Sequence, residues 1–143
     1  MAVYVKYQSF AGTLANKIAD LLGTAGSTAD TLKVALTNTA PNVATNTVLA
    51  DISEITAEHG YSSGGASATN VGTAAAGIVT VVGTDIVWTA SGGTIGPLRY
   101  AVLYDSTVAG GPLIAYWDYG SSITLADGDT LTVDFGSFLF TVA

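Results

Sequence analysis

The chain has 143 residues, with 4 Lys+Arg against 11 Asp+Glu, a formal net charge of −7 and a pI near 4.1. Charged residues make up 10% of it and hydrophobic residues 49%, and it contains 17 glycines and no cysteine. This length fits one domain, the apolar content excludes a disordered segment, four basic residues leave no electrostatic footprint for nucleic acid, and the lack of cysteine removes disulfides, thiolate metal sites and a cysteine nucleophile.

From the N-terminus, Val3-Tyr4-Val5-Lys6-Tyr7 is β-prone, and residues 1–8 read as an N-terminal arm or edge strand. Met1–Gln8 lacks a basic segment leading into an apolar one, so no signal peptide is expected. Ser9 stands where a helix N-cap belongs. Phe10, Leu14, Ile18, Leu21 and Leu22 follow at three- to four-residue spacing, which predicts an amphipathic helix over 10–22 closed by Gly23. Gly23–Asp30 reads as a loop. Leu32–Thr37 alternates large apolar with small or polar residues, the period of a half-buried strand. After a turn-rich connection around Pro41, Val48, Ile52 and Ile55 predict a short helix with Asp51, Glu54 and Glu58 on its wet side. His59–Asn70 reads as a flexible loop.

From Ile78 the pattern is strand, turn, strand. Ile78–Val82 and Ile86–Ala90 flank Gly83-Thr84-Asp85 and predict a hairpin. Leu98–Asp105 and Leu113–Tyr119 form the next pair of strands. Asp127-Gly128, between Ile123–Leu125 and Leu131–Phe135, predicts a second hairpin in which Asp-Gly supplies the positive φ angles. Gly136 marks a break before Phe138–Val142. Val71–Ala90 has the length of a membrane span, but Asp85 and its Thr and Gly residues argue against one. The prediction is a mainly β chain, a single domain over 1–143, built as an antiparallel β-sandwich of jelly-roll character with one N-terminal α-helix.

Charge is thin on such a domain. A folded monomer of 14.4 kDa exposes about 6,800 Å², so its charges sit at about one per 450 Å². Surface of that kind is normally covered in an assembly. Leu98–Tyr104 and Leu113–Tyr119 carry large residues on both faces and must be covered on both, which points to a neighbouring subunit as the second cover.

No motif for chemistry stands out. Gly60-Tyr61-Ser62-Ser63-Gly64 fits G-x-S-x-G, but the single histidine, His59, precedes the serine in the same loop, and no helix follows. Asp127, Asp129 and Asp134 are close in sequence, yet Asp127 and Asp129 serve a turn and Asp134 lies on a wet face, so neither a metal nor a cofactor is expected. No catalytic residue is assigned. Trp88, Trp117 and the seven tyrosines suit strand cores and interfaces, and as an alternative a platform for sugar rings.

Thr31-Leu32-Lys33-Val34-Ala35-Leu36-Thr37-Asn38-Thr39-Ala40-Pro41, followed by Leu49–Ile55 and Gly60-Tyr61, resembles small structural proteins of tailed bacteriophages. So do Tyr100–Asp105, Pro112–Gly120 and Leu125–Phe135, and the resemblance runs from about Tyr4 to the C-terminus. It implies a non-enzymatic virion protein similar to capsid decoration (cement) proteins, bound to the major capsid protein at junctions between its subunits. It would sit on the capsid exterior, be present in the host cytoplasm during assembly, and contact neither nucleic acid nor membrane. A homotrimer at a three-fold capsid position is the expected oligomer. The expected contacts are Val3, Tyr4, Val5 and Tyr7 on the arm, with Tyr61 and Tyr119 as exposed aromatics. Loss of Met1–Gln8 is expected to weaken attachment and leave the sandwich folded. The alternative is a tail or fibre-tip module that binds host surface glycan through Trp88 or Trp117.

Overall fold

Two long runs of β-branched and aromatic residues form the central strands, as their propensity requires. A computed structural model describes residues 3–16, 18–23 and 28–143. In chain order its elements are β1 (Val3–Lys6), α1 (Ser9–Ala15), β2 (Leu32–Thr37), a 3₁₀ turn (Leu49–Asp51), β3 (Ala66–Ser67), β4 (Val71–Ala75), β5 (Ile78–Val82), β6 (Ile86–Thr89), β7 (Ile95–Asp105), β8 (Leu113–Leu125), β9 (Thr130–Val133) and β10 (Phe140–Val142).

The strands make three antiparallel sheets, in the orders β1-β8-β7-β2-β3, β10-β5-β4 and β6-β9. The mainly β, antiparallel expectation with one helix therefore holds. Two hairpins do not. β5 pairs with β4 and β10, and β6 pairs with β9, so Gly83-Thr84-Asp85 connects two sheets. Ala126–Asp129 is a tight turn, with the Asp129 N–H donating to the Ala126 carbonyl, but β9 leaves it to join β6 and not β8. Only Gly128 there has positive φ, at 91°.

The hairpin of β4 and β5 was not legible locally. Its turn is Ala76-Gly77, with φ of 51° and 79°, and an alanine in that left-handed region is disfavoured by its Cβ. The helix is shorter than its apolar stripe. It ends at Ala15, with Asn16 as C-cap, and its N-cap is Gln8 and not Ser9. Ile18 and Leu22 are exposed, whereas Leu21 turns into the core. Lys17, which the helix was expected to include, and Thr24–Ser27 of the following loop lie outside the described residues. The helix expected around Val48–Ile55 reduces to the 3₁₀ turn, because the Ile55 N–H donates to the Leu36 carbonyl and Glu54 bridges Thr37 in extended backbone. Among the described residues, no helix is long and apolar enough to cross a membrane, and Val71–Ala90 is taken up by β4, β5 and β6.

One core cluster takes side chains from all three sheets: Leu32, Val34, Leu36, Ala101, Leu103 and Ile114 meet Val81, Ile86, Trp88, Leu131 and Phe140. The opposite face of the five-stranded sheet carries a second cluster of Tyr7, Ala35, Val102, Tyr104 and Leu113. Its cover is the chain itself, since Val43, Leu49 and Ile52 of the β2–β3 connection pack on it. The neighbouring subunit expected there is not needed at this end of the sheet.

Candidate functional site

β1 is an edge strand of the chain's own sheet, in register Val3↔Asp118, Tyr4↔Trp117, Val5↔Tyr116 and Lys6↔Ala115. Val3 is 69% exposed and Val5 half-buried. Tyr4 stands edge-on to Trp117 at 5.7 Å, and burial pushes its hydroxyl up to about 12. Tyr7 departs from expectation. It is wholly buried, its N–H donates to the Ile114 carbonyl, and burial followed by the neighbouring Tyr116 raises its pKa. Loss of residues 1–8 would therefore remove a buried core side chain together with an edge strand.

Tyr61 is also a correction, being buried in the core. Its hydroxyl donates to Glu54 Oε1 at 2.5 Å and accepts the Leu36 N–H at 2.9 Å. Glu54 Oε1 also accepts the Gly64 N–H at 2.6 Å, so the segment expected to be a flexible loop is tied to β2. Desolvation first, then the Glu54 carboxylate, raises the Tyr61 pKa. Tyr119 is 58% exposed, as expected.

Tyr119 opens the most distinctive concavity. Leu98 pairs with Ile123 and Tyr100 with Asp118, so Tyr119–Ser122 bulges out of the ladder opposite Arg99. Asp118 Oδ1 accepts the Gly120 N–H at 2.8 Å and Ser122 Oγ bonds Asn38 Oδ1 at 2.8 Å, which hold both ends of the bulge. Between it and β9 runs a cleft of about 420 Å³. Leu36, Leu98, Leu131 and Val133 line its apolar part, Trp117 packs on Phe135 with ring centres 5.4 Å apart, and Tyr119, Arg99 and Asp134 bring polar atoms to it. Arg99 also lies 5.2 Å from the centre of the Tyr100 ring. An apolar cleft carrying a few directed polar groups is a usual form for a small-ligand site. Trp117 belongs to it, whereas Trp88 is core.

A second feature is the outer face of the β10-β5-β4 sheet. Val81, Val79, Phe140 and Val142 turn inward, so Val71, Thr73, Ala75, Ile78, Thr80, Val82 and Thr141 share the other face. All but half-buried Thr80 are exposed, and none is charged. From Gly60 to Thr84 the chain has no Lys, Arg, Asp or Glu. In the sequence the sparse charge is legible only as a general property; its absence from this one face follows from β10 joining β5.

The remaining polar candidates are occupied by local structure. Asp127 Oδ1 accepts the Gly92 N–H, Asp129 Oδ2 the Ala126 N–H and Asp134 Oδ1 the Gly136 N–H. Among the described residues, no group of three or more metal-ligating side chains converges. His59 Nε2 lies 3.6 Å from Glu58 Oε2 and its ring packs on Gly93, and no hydrogen bond joins it to Ser62. Comparison with protein-family models, curated proteins and solved structures returns no match to this chain.

Proposed function

We propose that the chain is a non-enzymatic virion structural protein that decorates a tailed-phage capsid and stabilises it by binding the major capsid protein at junctions between subunits. The observation that carries this reading is the uncharged, exposed outer face of β4, β5 and β10, on a chain whose net charge is −7. Such a face loses little desolvation energy on contact, and many copies of modest affinity add up to strong attachment on a symmetric shell. The resemblance of the chain to phage structural proteins supports the same reading. A homotrimer on the capsid exterior, folded as a β-sandwich of jelly-roll character, is the form we propose. The neighbouring positions of β1 and β8, one early and one late in the chain, favour that architecture.

Fractionation of purified virions into heads and tails, with copy number by quantitative mass spectrometry, tests this. Hundreds of copies on heads are expected. A handful of copies confined to tails, or none on either, would overturn it.

The cleft favours a second reading, a tail or fibre-tip module that binds host surface glycan, since Trp117 and Tyr119 offer rings and Arg99 and Asp134 polar atoms. On this reading Trp117→Ala abolishes binding on a glycan array while the protein stays folded. No binding by the wild-type chain would dispose of it.

A further inference from the structure

The cleft beside β9 has an apolar floor and carries a donor and an acceptor that are not paired with each other. Leu36 and Leu98 are buried core residues and still line it, together with Leu131 and Val133 of β9. Water against such a floor finds few polar partners, so an apolar group gains by replacing it. Arg99 and Asp134 are the charged residues among those lining the cleft. Arg99 gives Nε and Nη2 to Asp118, and no described residue accepts from Nη1, which keeps both its hydrogens for a ligand. Asp134 Oδ1 accepts the Gly136 N–H, and no described residue donates to Oδ2. Among the described residues no ion pair joins Arg99 to Asp134.

We propose that the cleft binds an uncharged acylamide group, with its alkyl part on the apolar floor, its carbonyl accepting from Arg99 Nη1 and its amide N–H donating to Asp134. Charge complementarity selects this group over its ionised relatives. A carboxylate would accept from Arg99 but stand beside Asp134 with no proton to offer, on a chain of net charge −7 in which Asp118 already neutralises Arg99. An alkylammonium would donate to Asp134 but leave Arg99 without an acceptor and be repelled by it. The volume, about 420 Å³, lies within the roughly 300–1,000 Å³ of small-molecule sites. An acetamido sugar carries this group, which would deepen the glycan reading, and so does an acyl amide outside any glycan. The proposal rests on the lining of the cleft and on neither functional reading.

The test uses the full-length chain in solution and follows amide chemical shifts at residues 98–101, 117–122 and 131–136. The probes are hexanamide, hexanoate and hexylammonium, which share an alkyl body and differ in head group, followed by N-acetylglucosamine and glucose. Hexanamide is expected to bind about tenfold more tightly than either ion, the effect of one hydrogen bond to a charged group. Asp134→Asn keeps an oxygen for the Gly136 N–H and replaces the free acceptor with a donor. It is expected to weaken hexanamide and strengthen hexanoate, and unchanged shifts elsewhere verify that the fold persists. Binding of N-acetylglucosamine without glucose would assign the group to a sugar, whereas hexanamide binding with neither sugar would uphold the proposal and count against the glycan reading. Equal affinities for the three head groups, the wild-type preference in Asp134→Asn, or no shift at these residues with hexanamide would overturn the proposal. If a sugar still shifted the same residues, the glycan reading would survive that failure.

Discussion

Arg99 on β7 and Asp118 on β8 face each other through two charge-assisted hydrogen bonds, Nε to Oδ1 at 2.7 Å and Nη2 to Oδ2 at 2.9 Å. The fork geometry fixes both side chains at once. Since Asp118 Oδ1 also holds the Gly120 N–H, the pair anchors the bulge that carries Tyr119 to the cleft. Both side chains are about a third exposed, so the pair acts on the shape of the cleft more than on global stability.

Arg99→Gln tests that role. The guanidinium first, then the Gly120 N–H, holds the Asp118 carboxyl below the usual carboxylate range. A depressed folded-state pKa contributes stability above the unfolded value and loses it as pH falls. In Arg99→Gln the Asp118 midpoint is expected to move up toward the ordinary value in a carboxyl-carbon NMR titration, with shifts concentrated at residues 118–122. An unmoved midpoint would show that the backbone donor alone sets it.

The parts of the fold that were legible in the sequence are those whose signal is local. β7 and β8 announce themselves by large residues on both faces, and β2 by its alternation, although its burial is nearly complete because both faces of its sheet are covered. What was not legible depends on pairing between distant segments. Trp88 and Leu131 become neighbours only because β6 and β9 pair, and the same pairing closes one wall of the cleft. The aromatic count could not separate Tyr61 from Tyr119, since both lie in Gly/Ser-rich stretches. The difference is Glu54, which reaches the Tyr61 hydroxyl from a segment the sequence suggested was helical.

That contact makes Tyr61→Phe informative. The substitution keeps the ring and leaves the buried Leu36 N–H without its acceptor, a loss of about 1–3 kcal/mol. Urea unfolding should show a lower midpoint with an unchanged slope. A midpoint within error of the wild type would mean that water replaces the hydroxyl.

Asp105 is wholly buried, and its titration is expected to contribute to the pH dependence of stability. Its Oδ1 accepts the N–H groups of Thr107 and Val108, whereas Oδ2 is buried without a hydrogen-bond partner; the neighbouring Asp30 accepts the Asp20 N–H at 2.6 Å. Burial first, then the Asp30 carboxyl, pushes Asp105 up to about 6. A raised folded-state pKa means that the native state binds the proton more tightly than the unfolded chain. Its stabilisation is complete below about pH 4 and lost as pH rises through about 6, with a span on the order of 2–3 kcal/mol. Asp105→Asn keeps the shape, supplies a permanent donor, and should flatten denaturation midpoints across that window. Persistence of the slope in the variant would assign it to another group.

Two glycines with nearly the same backbone angle separate steric from conformational cost. Gly65 has φ of 69° and Gly77 of 79°, so an alanine at either is strained by the left-handed region, by about 1–2 kcal/mol. A Cβ on Gly77 meets nothing within 4 Å, whereas one on Gly65 would stand 1.7 Å from the Val34 carbonyl oxygen and 2.9 Å from Ala35 Cα. Neither contact involves a flexible side chain, so Gly65→Ala must displace β3 from β2, breaking the pairs Lys33↔Ser67 and Val34↔Ala66 and loosening the bond from Gly64 to Glu54. Gly77→Ala should lower the thermal midpoint by a few degrees. Gly65→Ala should lower it several times further and speed amide exchange at Gly64 and along β3. Equal losses in the two variants would show that the β2–β3 contact yields without cost and that only the backbone angle matters.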